Sequence, residues 1–228
     1  MPPSSLSIAL APDGALDPSR IQFLQLNMHY SSYGLTLLSQ FLATSMIDVV
    51  LIQDPPADLQ CNRGKVPGFV TILPPQGMGS KSSTMEKPLV AILVRSSLAF
   101  QRLHLADRRV CGILISTGHA PLAVVTSYLH FIGGQGLTAL SSMLTMARRH
   151  TPFVVIGADA NGHSRWWGPP DLMSNATGEL VEDFILSEHL DVANVWPSPP
   201  TFTSEQGFES WIDVTLSFSP VTPLLSDW

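Results

Sequence analysis

The run Phe153-Val-Val-Ile-Gly-Ala-Asp159-Ala-Asn161-Gly-His-Ser-Arg-Trp-Trp-Gly168 sets a carboxylate and an amide two residues apart, behind a short apolar stretch. Val and Ile ahead of a glycine-containing loop read as a buried strand, and residues i and i+2 of an extended chain face one side. Asp159 and Asn161 can therefore converge on one small ligand. A carboxylate that takes a proton from water, beside an amide that donates to an anionic oxygen, is the minimal equipment for hydrolysing an ester. The same Asp-x-Asn pattern also closes ordinary turns through side-chain caps, so the motif alone leaves both readings open.

Four more polar groups stand at or inside apolar runs: Asn27 after 21–26, Asp54 after 47–53, Tyr128 after 122–127, and Asp213 within 211–217. Each of the first three has a plain alternative. Asn27 could cap a loop, Asp54 could close the turn before Pro55-Pro56, and Tyr128 could be a core aromatic with a wet hydroxyl. Asp213 is harder to set aside, because a buried ionised carboxylate is costly unless a His, a metal or backbone donors meet it. Carboxylate and carbonyl oxygens suit a hard divalent cation such as Mg2+, with Mn2+ as the alternative, which keeps several waters and takes few protein ligands. A phosphodiester would complete the coordination, and the chemistry implied is metal-assisted hydrolysis.

The elements that must position these groups follow from hydrophobic periodicity. Strands are expected at 21–27, 47–54, 69–73, 89–95, 110–115, 122–128, 153–156 and 211–217, and helices at 35–46, 137–150 and 177–189. The three strands between 89 and 128 have no helix between them, which predicts antiparallel pairing there. Residues 57–88 read as a loop-rich stretch around the strand at 69–73. Strand blocks joined by helix-bearing crossovers predict one α/β domain over 20–228, a two-sheet β-sandwich flanked by helices. Residues 1–19, with four prolines, read as a flexible leader.

Composition narrows the class. With 228 residues and 45% hydrophobic side chains the chain can bury a full core, yet charged residues are only 13%, about half the usual share of roughly 25%. Mean hydropathy is +0.22. A net charge of −6 gives no overall basic field for nucleic acid, which leaves room only for local grips on a few phosphates. Arg165, beside Trp166 and Trp167, is the better candidate for a DNA-facing patch; Arg63, Lys65, Lys81 and Lys87 read as solvated loop charge. Cys61 and Cys111 argue against a disulfide scaffold and for a reducing compartment. No run reaches the length of a membrane span.

The order Leu26-Asn27, Leu51-Ile-Gln-Asp54, Ser127-Tyr128, Ile156-Gly-Ala-Asp159-Ala-Asn161-Gly-His-Ser164 with Trp167-Gly168, and Ser210-Trp-Ile-Asp213-Val-Thr-Leu resembles the endonuclease/exonuclease/phosphatase family. Within it, the chain is most similar to the apurinic-endonuclease-like domain of non-LTR retrotransposon polyproteins. The resemblance spans about residues 21–217. It implies a deoxyribonuclease-like, four-layer α/β sandwich. It also implies nicking of target DNA for insertion, in an intracellular and ultimately nuclear setting, by a monomeric domain with a reverse transcriptase downstream and no membrane partner. By the same resemblance, Asp159 orients or deprotonates the attacking water and Asn161 holds it or the phosphate. Tyr128 donates to the scissile phosphate, Asn27 and Asp54 sit at the Mg2+, Asp213 orients a catalytic His, and Ser164 and Ser210 touch phosphate.

Two departures stand out. Where the family carries Glu after Leu-Ile-Gln, this chain has Asp54, whose carboxylate is retracted by about 1.5 Å, the length of one C–C bond. The family's closing Ser-Asp-His becomes Ser226-Asp227-Trp228, and an indole neither accepts nor carries the proton. We read this as a chain that stops before the family's final strand. Two competing readings follow: a catalytically impaired remnant that binds nucleic acid or protein, and a phosphatase of the same fold.

Overall fold

Buried Val and Ile runs dominate the strands because most of them are covered on both faces, as a sandwich between helices requires. The computed structural model describes residues 5–8, 21–61, 64–75, 87–118, 120–129, 134–194, 196–204 and 206–226. In chain order the elements are β1 (Ser5–Ile8), β2 (Ile21–Asn27), α1 (Ser32–Thr44), β3 (Val49–Gln53), the single turn α2 (Ala57–Gln60), β4 (Phe69–Ile72), β5 (Val90–Arg95), β6 (Phe100–Leu103), β7 (Val110–Ile115) and β8 (Leu122–Tyr128). There follow α3 (Gln135–Arg148), β9 (Val154–Asp159), α4 (Ala176–Ser187), β10 (Leu190–Val192), β11 (Phe202–Thr203), β12 (Glu209–Ser210), β13 (Asp213–Phe218), a 3-10 turn and β14 (Leu225–Ser226).

Two six-stranded sheets result, ordered β14-β1-β2-β3-β5-β4 and β10-β13-β9-β8-β7-β6, with β11 and β12 as a separate hairpin. Ile21, Phe23, Val49, Leu51 and Ile92 of the first sheet meet Ile113, Val124 and Val155 of the second in the inter-sheet core. Leu35, Leu38 and Leu42 of α1 cover the outside of the first sheet. Leu140, Met143 and Leu144 of α3, with Val181, Phe184 and Ile185 of α4, cover the outside of the second. The expected four-layer α/β sandwich is thus observed. Each fully buried aliphatic side chain in these layers contributes about 1.5–3 kcal/mol.

Three expectations change. Residues 5–8 fall within the expected leader but pair with β2 and β14; the remainder of 1–19 lies outside the described residues. The sequence puts no strand after β13, yet Leu225–Ser226 form one, while Asp227 and Trp228 lie outside the described residues. The run expected to pair antiparallel from 89 to 128 is divided between the sheets. β5 sits between β3 and β4, whereas β7 and β8 do pair antiparallel in the other sheet, with β6 on the far side of β7, a strand too short and half-polar to show a period.

Among the described strands only two neighbouring pairs are parallel: β2 with β3, joined through α1, and β8 with β9, joined through α3. Their carboxyl ends therefore open at the same end of the sandwich, where ligands of open α/β sheets bind. The sheets approach closely beneath that end. A Cβ on Gly157 of β9 would lie 2.6 Å from Leu51 Cδ1 and 2.7 Å from Gln25 Oε1, both on the facing sheet. Gly157→Ala should therefore destabilise the domain by about 1–3 kcal/mol through overpacking, read as a lower urea midpoint with unchanged slope. A midpoint within error of wild type would mean that the sheets separate freely here.

Candidate active site

Asn27, Asp54, Tyr128 and Asp159 stand at the ends of β2, β3, β8 and β9. Strand register makes neighbours of Asn27 and Gln53, and of Tyr128 and Asp159. Because β13 runs antiparallel to β9, its first residue, Asp213, pairs with the last residue of β9, Asp159. Side chains complete the cluster. Asn27 Nδ2 donates to Asp159 Oδ2 at 2.7 Å and to Asp54 Oδ2 at 3.2 Å, bridging the two sheets. The backbone N–H of Asn161 donates to Asp159 Oδ1 at 3.1 Å. Asp54 Oδ1 is buried with no hydrogen-bond partner, an orphaned anionic oxygen that calls for a cation.

The backbone is strained around this cluster. Of five non-glycine residues with positive φ among those described, four are here: His29 (+44°), Tyr30 (+58°), Asp54 (+46°) and Asn161 (+49°). Such conformations persist where surrounding bonds over-determine them. Met28 N–H donates to Gln53 O and Tyr30 N–H to Asp54 O, both at 2.9 Å, which locks the loop after β2 onto the end of β3.

Electrostatics follow from burial. Asp159, 1% exposed, has its pKa raised by desolvation and by the Asp54 charge, against the donors Asn27 and Asn161. Asp213 is also raised, first by burial and then by the Asp159 charge, while Thr201 and Gln25 oppose the shift. Burial, then the Asp54 and Asp159 charges, pushes the Tyr128 hydroxyl up to about 12, so it remains a proton donor at neutral pH. Tyr30 is raised likewise by burial and by its hydrogen bond to Asp54.

These shifts have a measurable sign. Between the ordinary Asp pKa of about 3.9 and their raised native values, the folded chain holds protons that the unfolded chain has released. Stability from the Asp159–Asp213 pair is therefore present at about pH 4 and is lost as pH rises through the raised values. Asp213→Asn should flatten this fall in the melting temperature measured in EDTA. An unchanged pH profile would show that the pair does not titrate as described.

The loop after β9 is fastened to α4. Asn175 Oδ1 accepts from the N–H groups of Gly178 (2.8 Å) and His163 (3.1 Å). A Cβ on Gly178 would lie 1.9 Å from His163 O, so only glycine permits this approach. Ser164, expected at a phosphate, is instead fully buried. Its hydroxyl donates to Glu182 of α4 and accepts from Trp166 N–H, so it anchors the loop. Trp167 is likewise core, 2% exposed, which reduces the expected Arg-Trp-Trp patch to exposed Arg165 and half-buried Trp166. Ser210 is half-buried in the hairpin, where its carbonyl accepts from Thr201 N–H.

Asn27 also departs from its expected part as a metal ligand. It turns its amide nitrogen to the carboxylates, and its Oδ1 accepts from His29 N–H at 2.8 Å. Among the described residues no three His, Cys, Asp or Glu side chains cluster as a metal centre. Residues that sequence reasoning missed include Tyr30 and Gln25, whose Nε2 donates to Ala158 O (3.1 Å) and Asp213 Oδ1 (3.4 Å). Gln53 belongs with them: fully buried, it donates to Thr126 Oγ1 of the opposite sheet at 2.9 Å. For Gln25 and Gln53 the only signal is a polar residue inside an apolar strand, and Tyr30, in the turn after β2, carries none.

Comparison with known proteins places this geometry in context. Residues 127–228 match the endonuclease–reverse transcriptase family. Over 88% of this chain and 86% of the other, the structure is similar to the endonuclease domain of TRAS1, a telomere-specific non-LTR retrotransposon, with a TM-score of 0.68 and 21% identity. The AP endonuclease LMAP from Leishmania major aligns with a TM-score of 0.62 and 15% identity over 95% and 84% of the two chains. A mannosyl-6-phosphatase, Bt3783 of Bacteroides thetaiotaomicron VPI-5482, aligns at 0.52 and 11% over 81% and 76%. No curated protein matches the chain significantly. The structural matches show the fold, an α/β sandwich shared with endonuclease and phosphatase structures.

Proposed function

We propose that the chain is a divalent-metal-dependent DNA endonuclease that nicks target DNA for retrotransposon insertion, as one domain of a polyprotein with a downstream reverse transcriptase. One observation carries this reading: Asn27 ties Asp54 and Asp159, from strands of different sheets, into one polar cluster beneath an orphaned carboxylate oxygen. Asp54 Oδ1 would hold the cation, Mg2+ or Mn2+, whose Lewis acidity supplies charge neutralisation at the phosphate.

The chain's own residues do the remainder. Asp159 accepts the proton of the attacking water, and its raised pKa brings it closer to the optimum for a base at neutral pH. The Asn27 amide and the Asn161 N–H fix its carboxylate through one oxygen each. Tyr128 stays protonated and donates to the phosphate as negative charge builds.

Asp213 favours a second reading, the impaired remnant. Its side-chain donors are Gln25 and Thr201, so the expected His is not its partner. Conversion of supercoiled plasmid to open circles in Mg2+, and its loss in EDTA, tests the proposal. DNA bound but uncut in both would favour the remnant, and turnover of soluble phosphomonoesters with no nicking would favour a phosphatase.

A further inference from the structure

The outward face of α1 departs from the pattern of a surface helix, which turns an apolar stripe to the core and charged or polar groups to water. α1 meets the first condition through Leu35, Leu38 and Leu42, which pack on the first sheet. Its other side carries Tyr33, Leu37 and Phe41, exposed to 73%, 46% and 41%, and Met46 just past its end is 78% exposed. Residues 30–47 contain no charged side chain. The helices outside the second sheet differ. Exposed Leu180 and Leu186 of α4 stand among exposed Glu179 and Asp183, and α3 turns out Thr138, Ser142, Thr145 and Arg148.

Single apolar side chains on a surface are ordinary, but a contiguous row marks a contact. Tyr33, Leu37 and Phe41 recur at every fourth residue, so they form one ridge along a helix about 20 Å long. Thr36, Gln40 and Thr44, exposed and uncharged, form the parallel row beside it. Helices associate by seating such a ridge in the groove between two rows of a neighbour.

Three features select a second copy of this chain as the occupant. The first is symmetry. Tyr33 and Phe41 lie four residues either side of Leu37, so two antiparallel α1 helices related by a two-fold axis near Leu37 repeat every contact. Leu37 then meets Leu37 of the partner subunit, and Tyr33 meets the partner's Phe41. The second is charge. A two-fold contact sets groups near their own copies, and a face without charge has nothing to repel. The third is area. At roughly 200 Å² for a fully open large side chain, the four apolar residues leave about 480 Å² uncovered. Two copies would cover about twice that, and the neutral row carries the total past the ~1,000 Å² expected of a specific interface.

We propose that the chain forms a homodimer through antiparallel α1 helices, in place of the monomer that the family resemblance implies. The contact uses none of the residues assigned to hydrolysis. Sedimentation equilibrium of the full chain tests it. Wild type should rise with concentration from the 24.7 kDa of one chain toward twice that mass, with the micromolar dissociation constant of a small interface. Leu37→Glu sets two like charges near the axis and should weaken association at least tenfold, and so should Phe41→Glu. Met173→Glu, at an exposed position on the loop before α4, should leave it unchanged. Leu37→Glu mixed with Leu37→Lys should form a heterodimer although neither variant pairs with itself, a recovery that misfolded chains could not show. A wild-type chain that stays monomeric at every concentration would overturn the proposal. So would dimers that persist in both glutamate variants, or a Glu–Lys mixture that fails to associate.

Discussion

Asp159→Asn should lower plasmid nicking on the order of 10³-fold, the loss expected when a positioned base is removed. The substitution is nearly isosteric and abolishes the carboxylate's ability to take a proton. It also removes a desolvated charge that crowds both Asp54 and Asp213, so the variant should melt no lower than wild type at pH 8. The two readouts together separate chemistry from folding. Nicking close to the wild-type rate in a folded variant would remove Asp159 from the reaction. A collapse of both would mean that its role is architectural.

Trp167→Ala should cost about 3–5 kcal/mol, the range for deleting a large core aromatic. Trp167 is among the largest fully buried side chains. Its Nε1 donates to both Gly162 O (3.2 Å) and Trp211 O (3.1 Å), joining the loop that carries Asn161 to the segment that leads into Asp213. Truncation leaves a cavity and two carbonyls without their donor. Trp167→Phe keeps most of the packing but not the donor, so it should cost clearly less. Equal destabilisation by Ala and Phe, in urea denaturation, would show that the hydrogen bonds dominate over the packing.

How much of this was legible depends on where each residue lies. The central strands β3, β7, β8 and β9 are covered on both faces and so carry nearly unbroken apolar runs that can be read directly. The short peripheral strands β1, β6 and β14, and the hairpin of β11 and β12, are two to four residues long and partly polar. They form because a neighbouring strand offers hydrogen bonds, and no local pattern records that. The site divides in the same way. Asn27, Asp54, Tyr128, Asp159 and Asp213 were visible as polar groups terminating or interrupting apolar runs. Gln25 was not, since its partner Asp213 is 188 residues away. Ser164 misled for a related reason: a serine beside an active-site motif looks available until α4 delivers Glu182 to its hydroxyl.

The Glu-to-Asp difference also has a structural counterpart. Tyr30 N–H donates to the carbonyl of Asp54 at 2.9 Å, so the residue that bears the shorter carboxylate is held by a loop that no motif marked.

That Asp54 and its neighbours form a single cation site is most directly tested by Mn2+ titration followed by electron paramagnetic resonance of the free ion. The wild-type chain should bind one Mn2+, Mg2+ should displace it, and Asp54→Asn should weaken it by at least tenfold while the fold persists. Binding unchanged by Asp54→Asn would contradict the account, and so would the absence of any saturable site in wild type.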